Sequence, residues 1–268
     1  MTQIDEQSFV QVCNWISQNA GIAVPKGKTD LLRQRMGRVL RRFGYEDMRR
    51  LARELVPNGA ADVQMAVMDA ASINHTYFFR EPDVLQSFMD IAVPEFQDRS
   101  EFRIWSAACS SGEEAYTIAL MLIDLLGAEK ARRASILGTD ISGPVVDRAE
   151  LGIYSRVQMA RTEKRILDRW FQPTGIDQFR VKPDLRAMCT FRRMNLKAVP
   201  YPFARPFQAV FCRNILYYFD RADQSATLRA IYDVTEPGGW LVTSVTETIR
   251  DLGSAWEPVA AGLYRRPK

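Results

Sequence analysis

Histidine is nearly absent. The 268-residue chain has one, His75, and four cysteines, Cys13, Cys109, Cys189 and Cys212, with no CxxC pair. A Cys/His zinc site has too few ligands, so no metal is expected, and the thiols read as reduced and mostly buried. Long apolar runs are missing as well. The longest, around residues 115–128, is broken by Asp124 and falls short of the ~20 residues that span a bilayer. The opening "MTQIDEQSF" is acidic and polar, so a secretory signal is not expected, and the reduced thiols suit a cytoplasmic protein. GxGxxG and GxxxxGK[ST] are both absent, so the dinucleotide fingerprint and the phosphate cradle fail. Repeats and low-complexity segments are absent too.

The 47% hydrophobic content supplies a core of useful size, and the net charge of +4 permits an acidic partner without demanding one. The first 70 or so residues read as helices. Phe9, Val12, Cys13 and Ile16 recur at helical spacing before Gly21, and Leu32, Met36, Val39 and Leu40 do so before Gly44. Further helices are expected over about 47–55 and 61–71. From Phe102 the pattern alternates strand and helix: "FRIWSA", "EEAYTIALMLIDLLG", "ASILGTD", "SGPVVDRAELG" with Ser142 as cap, "QAVFCR", a helix leaving through "TEPGG", then "WLVTSVT" and "GLYRR". Apolar strands alternating with helices imply a parallel sheet covered on both faces. Turn signals at Pro173-Thr174-Gly175 and Lys182-Pro183-Asp184 interrupt it, predicting a small antiparallel insertion that rejoins the sheet near Phe191.

In such folds, ligands sit beyond the carboxyl ends of the strands. After the first strand come small residues, Ala107 to Gly112, then Glu113 and Glu114 at a helix start. Two acids there repel phosphate and favour a cation, such as the α-ammonium of S-adenosylmethionine. The alternative is that both merely complement the helix dipole, worth about 0.3–1 kcal/mol each. After the second strand, Asp140 suits ribose hydroxyls, or an N-cap for which Ser142 competes. "FCRNILYYFD" places Arg213, Asn214, Tyr217 and Tyr218 at the rim, or forms an ordinary turn with tyrosine packing. "SINHTYFFREP" carries Asn74, Thr76 and Arg80 among aromatics, or is an interdomain hinge. His75 reads as a structural or surface residue rather than a base.

Taken together, "NHTYFFRE", "WSAACSSGEEAYTIAL", "GTDIS" with "RAELGIYS", "FRRMNL" and "AVFCRNILYYFD" resemble the CheR family of chemotaxis receptor methyltransferases. Their order and spacing match over nearly the whole chain. The resemblance implies a helical N-terminal domain for receptor docking over 1–72 and a linker over 73–84 that contributes to the cofactor site. It implies a methyltransferase α/β domain of Rossmann-like fold over 85–268, with an antiparallel β-subdomain at about 170–193. It also implies methyl transfer from S-adenosylmethionine to glutamates on the cytoplasmic helices of chemoreceptors, giving methyl esters and S-adenosylhomocysteine. The cofactor set carried over is Asn74, Thr76, Arg80, Glu113, Asp140, Asn195, Leu196, Arg213 and Asn214. Glu113 is preferred to Glu114 because it follows Gly112 directly. Arg80 and Tyr218 match the residues closest to the reacting centre.

Arg35, Arg38 and Arg42 fall on one helix face, with Lys26, Lys28, Arg49, Arg50 and Arg53 nearby. Such a face could dock acidic receptor helices in a salt-sensitive manner, or be a solvated face. No helix-turn-helix or stacking-aromatic pattern accompanies it, so nucleic acid is not expected. Two departures stand out. "VTSVTET" replaces the family's "GHSE", and "FQPTGIDQFRV" is short with one glycine, so tight binding of a receptor's pentapeptide tether is not expected. A monomer is expected. The competing readings are a methyltransferase for a small molecule and a non-catalytic S-adenosylmethionine-binding adaptor.

Overall fold

The computed structural model describes residues 3–23, 29–56 and 59–268. Lys26 and Lys28 lie outside the described residues. The chain divides into two compact units, residues 1–73 with 218–223, and residues 74–217 with 224–268.

The first unit holds α1 (Gln3–Ala20), α2 (Thr29–Phe43), α3 (Met48–Glu54) and α4 (Ala61–Ala71). α1 packs on α3 and α2 on α4. The periodic apolar positions meet inside: Phe9, Val12, Ile16, Met36, Leu51 and Val67 are each at most 2% exposed. Asp47 caps α3 by accepting the Arg50 N–H at 2.9 Å. The segment 218–223 joins this unit through the Ala23 N–H, which donates to the Tyr218 carbonyl at 3.2 Å.

The second unit opens with α5 (Pro82–Ile91) and then runs β1 (Phe102–Ala107), α6 (Glu113–Leu126), α7 (Ala128–Ala131), β2 (Ala134–Asp140), α8 (Gly143–Leu151) and β3 (Ile153–Ser155). It continues with α9 (Lys164–Trp170), β4 (Phe171–Pro173), β5 (Gln178–Val181), α10 (Pro183–Arg186), β6 (Cys189–Arg193), β7 (Phe207–Cys212), α11 (Arg221–Asp233), β8 (Thr235–Val242), β9 (Glu257–Ala260) and β10 (Leu263–Arg265). The main sheet has order β6-β2-β1-β7-β8-β10-β9. Its first five strands are parallel; β10 pairs antiparallel with both β8 and β9. Chain order reverses between β1 and β7, so their carboxyl ends open the crevice that this topology uses for ligands. The expected α/β fold with a helical N-terminal region and a small antiparallel sheet is what forms.

The small sheet has order β3-β5-β4, and β6 rejoins the main sheet alongside β2, with Phe191 beside Gly138. Its third strand, β3, falls outside the expected insertion because three residues carry too little pattern to be read. β9 escapes for the same reason. α5 was not anticipated, although Val84, Leu85, Phe88 and Met89 form a buried stripe along it. Glu236-Pro237-Gly238-Gly239 is not an exit turn; it lies inside β8, where the register against β7 shifts in a bulge between Phe207 and Ala209. Ser142 stands at the N-cap of α8, but its side chain makes no cap hydrogen bond.

Candidate active site

The turn from β1 to α6 is held in a costly conformation. Ala108 (φ 62°), Ser110 (φ 49°) and Gly112 (φ 91°) are left-handed. For the two non-glycine residues that costs of order 1–3 kcal/mol each, so neighbours must impose it. They do. The Cys109 N–H donates to the Thr139 carbonyl at 2.9 Å, and the Ser110 N–H to Asp140 Oδ2 at 2.9 Å. Tyr154 Oη, from β3, donates to the Ser111 carbonyl at 2.7 Å. Gly112 is required twice, by its positive φ and because a Cβ there would sit 2.8 Å from the Ala149 methyl of α8. Ser110 Oγ is buried with no hydrogen-bond partner among the described residues.

Asp140 closes β2. Its Oδ1 accepts the Ser142 N–H at 3.0 Å and Oδ2 the Ser110 N–H. Burial pushes the carboxyl up against these amide bonds, and the net direction is upward. Each oxygen keeps lone-pair capacity for a hydroxyl donor. The Asp140 carbonyl accepts the Met194 N–H at 2.8 Å, which brings Asn195 and Leu196 beside this strand end. Leu196 is buried, and Asn195 Oδ1 accepts the Lys197 N–H at 3.0 Å.

The two adjacent acids part company. Glu114 accepts from Ser106 Oγ at 2.7 Å and pairs with Arg213 Nη1 at 2.9 Å, so its charge is matched. Glu113 is fully buried and accepts only from neutral groups, Ser111 Oγ at 2.8 Å and Gln158 Nε2 at 3.1 Å. Burial drives its carboxyl above the ordinary range. Glu113 makes no ion pair among the described residues, and the Arg148 charge offsets only part of what burial costs it.

The segment leading to Arg80 is pinned to this unit. Phe78 is buried edge-on against Tyr154 and Phe171. The Phe79 N–H donates to Thr117 Oγ1 at 3.2 Å. Asn74 is exposed and Thr76 half-exposed. Arg80 Nη1 donates to the His75 carbonyl at 2.9 Å. The Arg213 guanidinium, 1% exposed, is committed to Glu114, to Glu81 at 3.4 Å and to the Arg80 carbonyl at 2.6 Å, leaving its Nε buried without a partner. Asn214 (φ 60°) donates from its side chain to Glu81 Oε1 at 2.9 Å, while its N–H donates to Glu247 Oε2 at 2.6 Å.

The model of the CheR methyltransferase, SAM binding domain, matches residues 74–262. The chain belongs to the CheR methyltransferase family. It is 33% identical over 258 residues to a "Chemotaxis protein methyltransferase" of Salmonella typhimurium, covering 94% of this chain and 88% of that protein. It is 31% identical over 254 residues to one of Borreliella burgdorferi, covering 92% and 90%. For one of Escherichia coli, the values are 33% over 253 residues, covering 93% and 87%. The protein is an S-adenosylmethionine-dependent methyltransferase of chemotaxis.

The groups present suit this cofactor. The buried Glu113 carboxylate could face a cationic tail and the Asp140 oxygens could accept from hydroxyls, while Ser110 Oγ and Arg213 Nε are buried polar atoms without a partner among the described residues. The departure from "GHSE" is milder than the sequence suggests. In "SVTE", Glu247 keeps the acid, and its carboxylate takes the Asn214 and Leu216 N–H groups. Sequence reasoning passed over Tyr154, Gln158, Glu81 and Glu247. Tyr154 lies in the quoted "RAELGIYS", and Glu81 directly follows Arg80 but resembles a helix cap. Gln158 has no signal in the chain. In the helical unit, Arg38 and Arg42 are exposed, whereas Arg35 is half-buried. Its Nη1 donates to the carbonyls of Ala70 at 3.2 Å and Ser72 at 2.8 Å, at the end of α4. Among the described residues no helix is long and apolar enough to cross a membrane.

Proposed function

We propose that the protein methylates glutamate side chains on the cytoplasmic helices of chemoreceptors, forming γ-glutamyl methyl esters. The observation that carries this reading is the split between the adjacent acids: Glu114 pairs with Arg213, while Glu113 is buried and makes no ion pair among the described residues. The relatives' shared name, chemotaxis protein methyltransferase, supports the receptor as acceptor.

S-adenosylmethionine, when bound, supplies a methyl group on a sulfonium. The acceptor carboxylate is already ionised at neutral pH, its ordinary pKa being about 4.3. Its oxygen would take that methyl group, with S-adenosylhomocysteine as the leaving group, while Arg80 and Tyr218 would hold the carboxylate in place. No proton moves, which fits a chain with one histidine. What the reaction needs is in-line placement. Arg80 would hold the acceptor carboxylate through charge-assisted bonds, and Tyr218 would donate a second. Glu113 would face the α-ammonium and Asp140 the ribose hydroxyls. Asn74, Thr76, Asn195, Leu196, Arg213 and Asn214 would complete the cradle.

The test is methyl transfer from labelled S-adenosylmethionine to receptor cytoplasmic fragments. Base-labile label on glutamate is expected from the wild type. Arg80→Ala should lower kcat about 100-fold and Tyr218→Phe about 10-fold. Unlabelled receptor fragments, from protein that binds S-adenosylhomocysteine, would sink the reading.

Docking belongs to the exposed part of the basic face. Arg38→Glu with Arg42→Glu should raise KM for receptor fragments about tenfold with kcat unchanged, and flatten its salt dependence. Arg35→Ala should instead lower thermal stability, because Arg35 ties off α4. Equal KM effects at all three positions would contradict this division.

A further inference from the structure

Arg80 lies between two strained residues. Phe79 (φ 57°) and Glu81 (φ 51°) are both left-handed and neither is glycine. Strain of this kind persists only where surroundings impose it, and it gathers where a side chain must be aimed. On one side the restraint is the Phe79 N–H on Thr117 Oγ1. On the other it is the Glu81 carboxylate.

Glu81 stands at the N-cap of α5, where an acid ordinarily accepts from the first-turn amides. It makes no such bond. Oε1 instead accepts from Asn214 Nδ2 and Ser244 Oγ, both at 2.9 Å. Oε2 meets Arg213 Nη2 and the Val245 N–H, both at 3.4 Å. Arg213 Nη2 also donates to the Arg80 carbonyl at 2.6 Å. Burial pushes the Glu81 carboxyl up, but the bonds from Asn214 and Ser244 and the Arg213 charge outweigh it, and the net direction is downward. A second acid extends the set. Glu247 takes the N–H groups of Asn214 at 2.6 Å and Leu216 at 2.8 Å, the latter opening the 3-10 turn Leu216–Tyr218. One connected set of bonds therefore fixes the backbone at Arg80 and at the start of the turn that carries Tyr218.

Resting on the functional reading above, we infer that Glu81 is a positioning residue for methyl transfer: its carboxylate ties the Arg80 backbone to the Arg213–Asn214 turn and to Ser244–Val245. Arg213 then works mainly as part of this tie, with only its Nε left for a ligand. Glu81 itself touches neither cofactor nor acceptor, so its loss should misplace Arg80 without emptying the cofactor site.

The experiment compares Glu81→Ala and Glu81→Gln with the wild type. The readouts are kcat and KM for receptor fragments, Kd for S-adenosylhomocysteine, and amide hydrogen exchange. Glu81→Ala should lower kcat about 30- to 100-fold, the cost of a misplacement near 1 Å, with Kd changed less than about threefold. Glu81→Gln keeps an acceptor for Asn214 and Ser244 but turns its amide nitrogen toward the Arg213 and Val245 donors, so it should recover only part of the loss, with kcat above that of Glu81→Ala and below wild type. Exchange at the Phe79, Asn214 and Val245 amides should rise about tenfold in Glu81→Ala. Wild-type kcat in Glu81→Ala, or a loss of affinity matching the loss of kcat, would overturn the inference. If the wild type leaves receptor fragments unmethylated, the functional reading fails separately. Exchange then decides the tie: unchanged protection in Glu81→Ala overturns it.

Discussion

Arg213→Ala is expected to lower the unfolding free energy by about 3–5 kcal/mol, the cost of removing one partner from a buried ion pair. For a chain of this size that is a drop of roughly 10 °C in Tm. The reason is what remains. Arg213 is 1% exposed, and its two terminal nitrogens serve Glu114, Glu81 and the Arg80 carbonyl. Without it, Glu114 (15% exposed) is left with the Ser106 hydroxyl, and Glu81 loses its ion-pair partner among the described residues. The loss should shrink by about half when Glu114→Gln is added, because the stranded charge then disappears. Thermal unfolding of the two single variants and the double variant measures this coupling. An equal loss from Arg213→Ala in both backgrounds would show that the pair contributes only packing. The same variant should weaken methyl transfer more than S-adenosylhomocysteine binding, since Arg213 also fixes the Arg80 carbonyl.

Much of this arrangement was legible in the chain, because strand ends announce themselves. "FRIWSA" and "ASILGTD" are apolar runs that stop at small or acidic residues, so Ala107–Gly112 and Asp140 could be found without coordinates. The helical unit was legible for a similar reason: 3.6-residue periodicity over more than ten residues has no competing explanation. What stayed hidden depends on partners distant in sequence. Adjacent Glu113 and Glu114 look alike in one dimension. They differ because Arg213, 99 residues from Glu114, pairs with one of them, while Gln158, 45 residues from Glu113, bonds the other. Glu81 reads as an acid before a proline-led helix, yet its ties run to positions more than 130 residues away. Arg35 shares a face with Arg38 and Arg42, and periodicity cannot say that the end of α4 consumes it. Very short strands such as β3 have too few residues to show alternation, though β3 supplies Tyr154 to the strained turn.

Glu113→Gln should move stability and function in opposite directions. The wild-type carboxyl is raised above its ordinary value of 4.5, chiefly by burial. A raised acid contributes stability that is fully present below the unfolded pKa and lost as pH rises through the folded one. The charged form of Glu113 is therefore held at a cost in the folded protein, which the Arg148 charge offsets only in part. Glutamine removes it without orphaning its neighbours. Its amide oxygen can keep the bonds from Ser111 Oγ and Gln158 Nε2, and its amide nitrogen can donate to Ser111 Oγ. The expected gain at pH 7 is about 1 kcal/mol, or about 2–4 °C in Tm. The gain should fade as pH falls, vanishing once both states of the wild type are protonated. On the proposed role of Glu113, cofactor binding should weaken by about tenfold or more, because the carboxylate proposed to face the α-ammonium loses its charge. Melting curves at pH 7 and pH 5, beside calorimetric titration with S-adenosylmethionine, separate the outcomes. A destabilised variant with intact affinity would mean that Glu113 is held as a structural anion and that the α-ammonium is recognised elsewhere. A stabilised variant that cannot bind would show that a folding cost is carried for the sake of the ligand.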